Sequence, residues 1–262
     1  SDLTRRIYIY ENAFGVATFS DIILDTASIQ SKAFQKVIIE DSITIKNSYI
    51  YEDAFSYASF TNNKATFTII DSTIYSYAVQ GFRFNEGGTL IIKNCQTIYS
   101  NSFERISGKP KVVFELDEYK IINNNNYKVS IGQEAFYNSD IVGPLEIPSF
   151  IGQVGNKAFA HCQYLNGSLI LNASTVNDYS FAYSAFDGEL ILGSNIGSFG
   201  SSSPYHGFEG CKFNKLTIEP ELAISIPEGM FYQLKTIEGE VRFSDQISAI
   251  GDEAFFGCTG IT

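Results

Sequence analysis

One phrase recurs down this chain and constrains its fold more than any other feature. It is clearest near the end, as Ile250-Gly251-Asp252-Glu253-Ala254-Phe255. Aligned on the aromatic residue, eleven copies fall at Phe14, Phe34, Phe55, Val79, Phe103, Phe136, Phe159, Phe181, Phe208, Phe231 and Phe255, with a mean spacing of about 24 residues. The residue before the anchor is Ala, Ser or Gly in all copies but one, where Met230 stands. Five residues before the anchor sits Ile or Val, except that the Phe208 copy has Ser203. A chain with such a period buries its core by stacking each unit on the next, so it need not close into a globule.

Each unit also carries a short alternating apolar segment: Ile22-Ile23-Leu24, Val37-Ile38-Ile39, Phe67-Thr68-Ile69, Leu90-Ile91-Ile92, Val112-Val113-Phe114, Leu145-Glu146-Ile147, Leu169-Ile170-Leu171, Leu190-Ile191-Leu192, Leu216-Thr217-Ile218 and Val241-Arg242-Phe243. Side chains alternate along a strand, so the first and third residues enter the core and the middle one faces out. The expected fold is a curved leucine-rich repeat solenoid of about eleven repeats. It has one parallel concave sheet, with short helical or 3₁₀ turns and loops on the convex side. The whole chain, 1–262, reads as one solenoid, a piece of a longer array without caps. Two long spacings break the period. They place irregular loop insertions at 104–130, around Asn123-Asn124-Asn125-Asn126, and at 197–206, around Ser201-Ser202-Ser203-Pro204. A degenerate extra strand around Tyr119-Lys120-Ile121-Ile122 is the alternative for the first.

The outward column holds the candidate ligand-binding residues Ile38, Thr68, Ile91, Val113, Glu146, Ile170, Ile191, Thr217 and Arg242, with Ile23 at its head. Beside it runs a mainly acidic rim of Asp25, Glu40, Glu115 and Glu219, interrupted by Lys93. An apolar stripe rimmed by charge is how interaction surfaces look; the competing explanation is that β-branched residues simply suit strands.

The net charge of −11 and pI near 4.6 argue against nucleic acid and anionic membrane as partners. The apolar runs are strand-length and too short to cross a bilayer. Cys162, Cys211 and Cys258 each lie three residues after an anchor, which fits buried free thiols in a core column. No CxxC spacing points to a metal. The two histidines, His161 and His206, lie in turns with no nucleophile at motif spacing, and no phosphate-binding or zinc motif occurs. No cofactor, metal or catalytic residue is expected. Two N-x-S/T sequons place possible N-glycans on Asn166 and Asn172.

The phrases Ile131-Gly132-Gln133-Glu134-Ala135-Phe136 and Ile250 to Cys258, with Pro144-Leu145-Glu146-Ile147-Pro148, resemble the BspA-like, Treponema-type leucine-rich repeats. Leu165-Asn166-Gly167-Ser168-Leu169-Ile170-Leu171 is similar to the variant common in surface proteins of trichomonad-like parasitic protists. The resemblance is strong over 127–262 and looser over 1–126. It implies a non-enzymatic, cell-surface or secreted adhesion module that engages host protein, glycan, matrix, microbes or other cells. A structural spacer and an intracellular interaction scaffold are the alternatives. The family defines a scaffold, so no ligand site carries over.

Overall fold

The computed structural model describes residues 6–123 and 127–262; Asn124 to Asn126 of the asparagine run lie outside the described residues. The chain winds into a parallel β-solenoid. The Ile of each phrase lies on a short strand, and nine such strands stack in sequence order into one sheet, from Ile7–Ile9 to Ser198–Phe199. Their register is that of the repeat: Ile9 faces Ile29, Ile29 faces Ile50, and Ile131 faces Val154. The Phe208 copy deviates as its sequence foretells, but the vacancy at Ser203 is filled from further upstream. Phe199 pairs with Val176 and takes the aliphatic place.

After each phrase the chain turns, and the anchor rings enter the core as a ladder. Phe34 and Phe55 stack at 4.8 Å, Phe103 and Phe136 at 5.0 Å, Phe136 and Phe159 at 4.9 Å, and Phe159 and Phe181 at 5.5 Å. A backbone ladder accompanies it. Nine of the eleven anchor N–H groups donate to the carbonyl of the small residue one turn on, as Phe34 to Ala54, Phe136 to Ala158 and Phe159 to Ser180. The small residue is needed because the turns approach this closely, and Ala33, Ala54, Ala135 and Ala158 are fully buried. Burial of each ring contributes about 1.5–3 kcal/mol.

The turns are neither α nor 3₁₀. In ten of eleven copies the residue two before the anchor has positive φ, as in Asn101, Glu134 and Lys157; the residue two after it does so in ten of eleven as well, as in Arg105, Asn138 and His161. Such a backbone aims the N–H along the solenoid axis. Lys157 donates to Asp178 at 3.1 Å, Asn138 to Ala160 at 2.9 Å and His161 to Ala182 at 2.9 Å. These bonds offset a left-handed conformation that costs an L-residue about 1–2 kcal/mol.

The alternating segments form further strand faces, so the solenoid has more than the single sheet expected. One sheet runs Lys111–Glu115, Thr89–Lys93, Thr66–Ile70 and Ile38–Lys46, with Thr18–Asp25 paired to the last of these and Ser59–Asn63 and Arg83–Asn85 continuing it. A second joins Leu145–Ile147, Leu169–Leu171, Glu189–Leu192 and Lys215–Ile218. The inward pairs behave as expected: Phe67, Ile69, Leu90, Leu169, Leu171, Leu190 and Leu192 are buried.

The cysteines follow the same logic. Cys162 Sγ lies 3.2 Å from the Phe136 carbonyl and Cys211 Sγ 3.2 Å from that of Phe181, while Ser139 Oγ makes the equivalent bond to Phe103 at 2.9 Å. Cys and Ser alternate here because each fills a small buried place and donates to the previous turn's anchor carbonyl. Cys95, Cys162 and Cys211 are buried free thiols, and Cys258 is partly buried.

Candidate functional site

The outward column survives in part. Register aligns Ile23, Thr44, Thr68, Ile91 and Val113 in the first sheet, and Glu146, Ile170, Ile191 and Thr217 in the second. Ile38 is not a member. Its strand, Ile38–Lys46, is long enough to hold two alternating triplets separated by an irregular step, and Ile43-Thr44-Ile45 supplies the column while Ile38 pairs with Thr18 and Ser59. Arg242 is not a member either. Val241 to Phe243 are outside any strand, Phe243 is exposed, and Arg242 bonds Glu240 at 2.9 Å.

The rim is less acidic than the sequence implies. Its register reads Asp25, Lys46, Ile70, Lys93, Glu115, so the charges alternate along part of it. Glu40 stands off this column and accepts a hydrogen bond from Ser20 at 3.0 Å. Glu219 lies just past Lys215–Ile218 and accepts from the Ser194 N–H at 2.8 Å. Thr217 donates to Glu189, which also pairs with Lys215 at 2.8 Å.

The described residues of the 104–130 stretch include regular elements. They contain the strand Lys111–Glu115, the helix Glu118–Asn123 and the start of the strand Val129–Ile131. The helix replaces the extra strand considered around Tyr119. Its first turn fastens onto the sheet: Lys93 pairs with Asp117 at 2.7 Å, and Lys120 with Asp71 at 2.8 Å. The hydrogen bond to Asp117 holds the Lys93 ammonium above its ordinary pKa, and the same bond holds Asp117 below the usual carboxylate range. Of 197–206, residues Ser198–Phe199 form a strand and Tyr205 is fully buried.

This insertion interrupts the outward sheet. Lys111–Glu115 pairs with Thr89–Lys93 on one side; on the other, only an isolated bridge joins Lys111 to Val142. The hydrogen-bond ladder fixes which groups face the break. The Lys111 N–H bonds Gly88 and the Glu115 carbonyl accepts from Asn94, so in a parallel strand the peptide groups of Val112 and Phe114 point the other way. Across the break, the Leu145 N–H bonds Ser168 and the Ile147 carbonyl accepts from Asn172, which turns Pro144, Glu146 and Pro148 toward the gap. Prolines carry no N–H, so the ladder cannot close here.

A cavity of about 580 Å³ occupies this break. Four of the expected site residues, Lys93, Val113, Glu115 and Glu146, line it together with apolar groups that include Val112, Leu116 and Phe150. Ile91, Thr68, Ile170, Ile191 and Thr217 lie on the same outward faces away from the cavity. The composition of the strands announced the column; the break was announced only by Pro144 and Pro148 flanking Glu146.

A model of the BspA type leucine-rich repeat region, comprising six copies, matches residues 110–206 and 201–262, more than half of the chain. This chain belongs to the BspA-type leucine-rich repeat family. No curated protein and no solved structure matches it. Within the matched half, Gly follows the phrase aliphatic at Ile131, Val154 and Ile250. At Gly132, Gly155 and Gly251 an added Cβ would fall within 2.7 Å of backbone one turn away. At these positions successive turns approach too closely for a side chain. Among the described residues, no helix is long and apolar enough to cross a membrane, and no group of three or more His, Cys, Asp and Glu side chains is placed to hold a metal ion.

Proposed function

We propose that this chain is a non-enzymatic adhesion module of a cell-surface or secreted protein, and that its protein partner engages the break in the outward sheet. The carrying observation is the cavity between Lys111–Glu115 and Leu145–Ile147, where two strand edges face each other without a ladder. The partner is an extended peptide segment, because the inward-turned peptide groups of Val112 and Phe114 and the Glu146 N–H are what a further strand uses. Apolar side chains of that segment meet Val113, Leu116 and Phe150; Lys111 and Glu146 at the walls fix its polarity. The rest of the column adds contact area and shape.

Binding of the purified chain to immobilised matrix proteins and to host-cell surface proteins tests this. Val113→Asp should weaken it at least about tenfold, whereas Ile191→Asp, in the same column outside the cavity, should leave it unchanged. Equal weakening by both variants would assign the whole face, and an unaffected Val113→Asp would remove the cavity from the reading.

A further inference from the structure

The turn face carries a second site that the strand-centred reading does not touch. Rings from successive turns meet there: Tyr137 meets His161 edge to face at 5.3 Å, and His161 stacks on Tyr183 at 5.1 Å. One turn further on there is no ring, only Gly210. Beyond it the stack resumes, Tyr232 lying 5.3 Å from Phe256 with planes inclined by 12°. A cavity of about 310 Å³ lies at that place, lined by both Tyr183 and Tyr232.

Gly210 lets the Tyr183 ring lie over it and form one wall of the cavity. A Cβ there would come 2.6 Å from the Tyr183 ring, and φ is +75°. Tyr183 is held there by its hydroxyl, which donates to Glu209 beside Gly210; that bond raises the phenol pKa to about 12. Tyr183 and Tyr232 lie two turns apart, on the order of 10 Å at about 4.8 Å per stacked strand. Both rings line the cavity, so a ligand ring that enters it meets aromatic surface from two turns.

We propose that this slot binds a single neutral pyranose residue, held between Tyr183 and Tyr232. The C–H face of a sugar ring meets the negative face of an aromatic ring. The rim is polar: the Glu209 carboxylate, the Gln233 amide and the His206 imidazole all line the cavity. His206 Nδ1 is 3.3 Å from Glu209, and its ring stacks on Tyr179 at 5.0 Å, so the rim is held in place. A purely apolar ring would displace water from the Gln233 amide and the rest of this rim without replacing its hydrogen bonds, at a cost sugar hydroxyls avoid by donating and accepting there. An anionic sugar or nucleotide would meet Glu209 in a chain of net charge −11. The volume is near the lower end of ligand pockets, about 300 Å³, which suits one sugar unit rather than an extended chain.

Saturation-transfer NMR on the full chain with glucose, galactose, mannose, N-acetylglucosamine and indole as probes tests the slot. Transfer to at least one of the sugars is expected, with millimolar affinity. Tyr232→Ala and, separately, Gln233→Ala should each weaken it at least about tenfold at an unchanged denaturation midpoint. Gln233→Ala removes only a rim amide, so it remains informative if Tyr232→Ala loosens the last turns. Val113→Asp, far from the slot, should leave sugar binding intact, which separates this site from the strand cleft. Absence of transfer to every sugar, transfer to indole alone, or binding indifferent to both slot variants would overturn the proposal.

Discussion

The rings of Phe136 and Phe159 lie 4.9 Å apart with planes inclined by only 5°, and the Phe136 N–H donates to the carbonyl of Ala158, the residue just before Phe159. One phrase thus grips the next twice, through its side chain and through its backbone. In a solenoid such grips are nearest-neighbour terms, and stability is approximately their sum.

Phe159→Ala removes a fully buried ring that touches a ring on either side, Phe136 and Phe181. The cavity left behind cannot collapse without separating the turns. A loss of about 3–5 kcal/mol is expected, visible as a lower denaturation midpoint by circular dichroism. An unchanged midpoint would mean that the ring is not part of the stacking core.

The left-handed positions beside the anchor give a test with two signs. Lys157 has φ of 55° and an exposed side chain. Its nearest charged neighbour is Glu134 at 4.0 Å, an exposed pairing worth little. Lys157→Gly should raise stability by up to about 1 kcal/mol, since glycine adopts this φ without steric cost, less its larger entropy in the unfolded chain. Lys157→Val should lower it by about 1 kcal/mol or more, because a β-branched residue is an outlier there. Thermal denaturation of the pair should bracket the parent chain.

How far the sequence carried this reading depends on whether a position's chemistry repeats. Anchors, phrase aliphatics and inward strand residues repeat as residue types because the core sets them, and their burial followed. The left-handed positions do not repeat as types: Asn101, Glu134, Lys157 and Tyr179 share a φ and nothing else. Their strain is offset by backbone bonds, which leave no trace in side chains. Val37-Ile38-Ile39 and Ile43-Thr44-Ile45 both fit the strand pattern within one strand, and only pairing decides which enters the column. The slot was hidden for a related reason. Its rings come from different offsets in the repeat, Tyr232 one residue after its anchor and Tyr183 two after, so no sequence column brings them together.

The two sequons should behave differently in a secreted form of the chain. The Asn166 side chain is exposed. The Asn172 amide is engaged, its Oδ1 accepting from the Asn195 N–H at 3.0 Å and from Asn195 Nδ2 at 3.2 Å, with Gly193 close against it. Expression through a eukaryotic secretory pathway should add a hexose-bearing mass to the Asn166 peptide and leave Asn172 bare. A glycan on Asn172 instead would contradict this packing.

The buried thiols make stability fall in alkali. Burial raises Cys95, Cys162 and Cys211 each to about 12, against an ordinary thiol value of 9.0. Below pH 9 both folded and unfolded chains keep these protons, so the contribution of the buried thiols is fully present. Between about 9 and 12 the unfolded chain releases protons that the folded chain retains, and unfolding is favoured by up to about 1.4 kcal/mol per pH unit for each thiol. Three thiols together therefore steepen the decline by about 4 kcal/mol per unit. Cys162→Ser should remove about one third of that slope while keeping the donor to the Phe136 carbonyl, as Ser139 already does one turn earlier for Phe103. At pH 8 the folded chain should expose to a thiol reagent only the partly buried Cys258, and denaturant should release the other three. Rapid reaction of all four thiols in the folded chain at that pH, or a Cys162→Ser slope equal to that of the parent, would contradict the burial that the stacked turns impose.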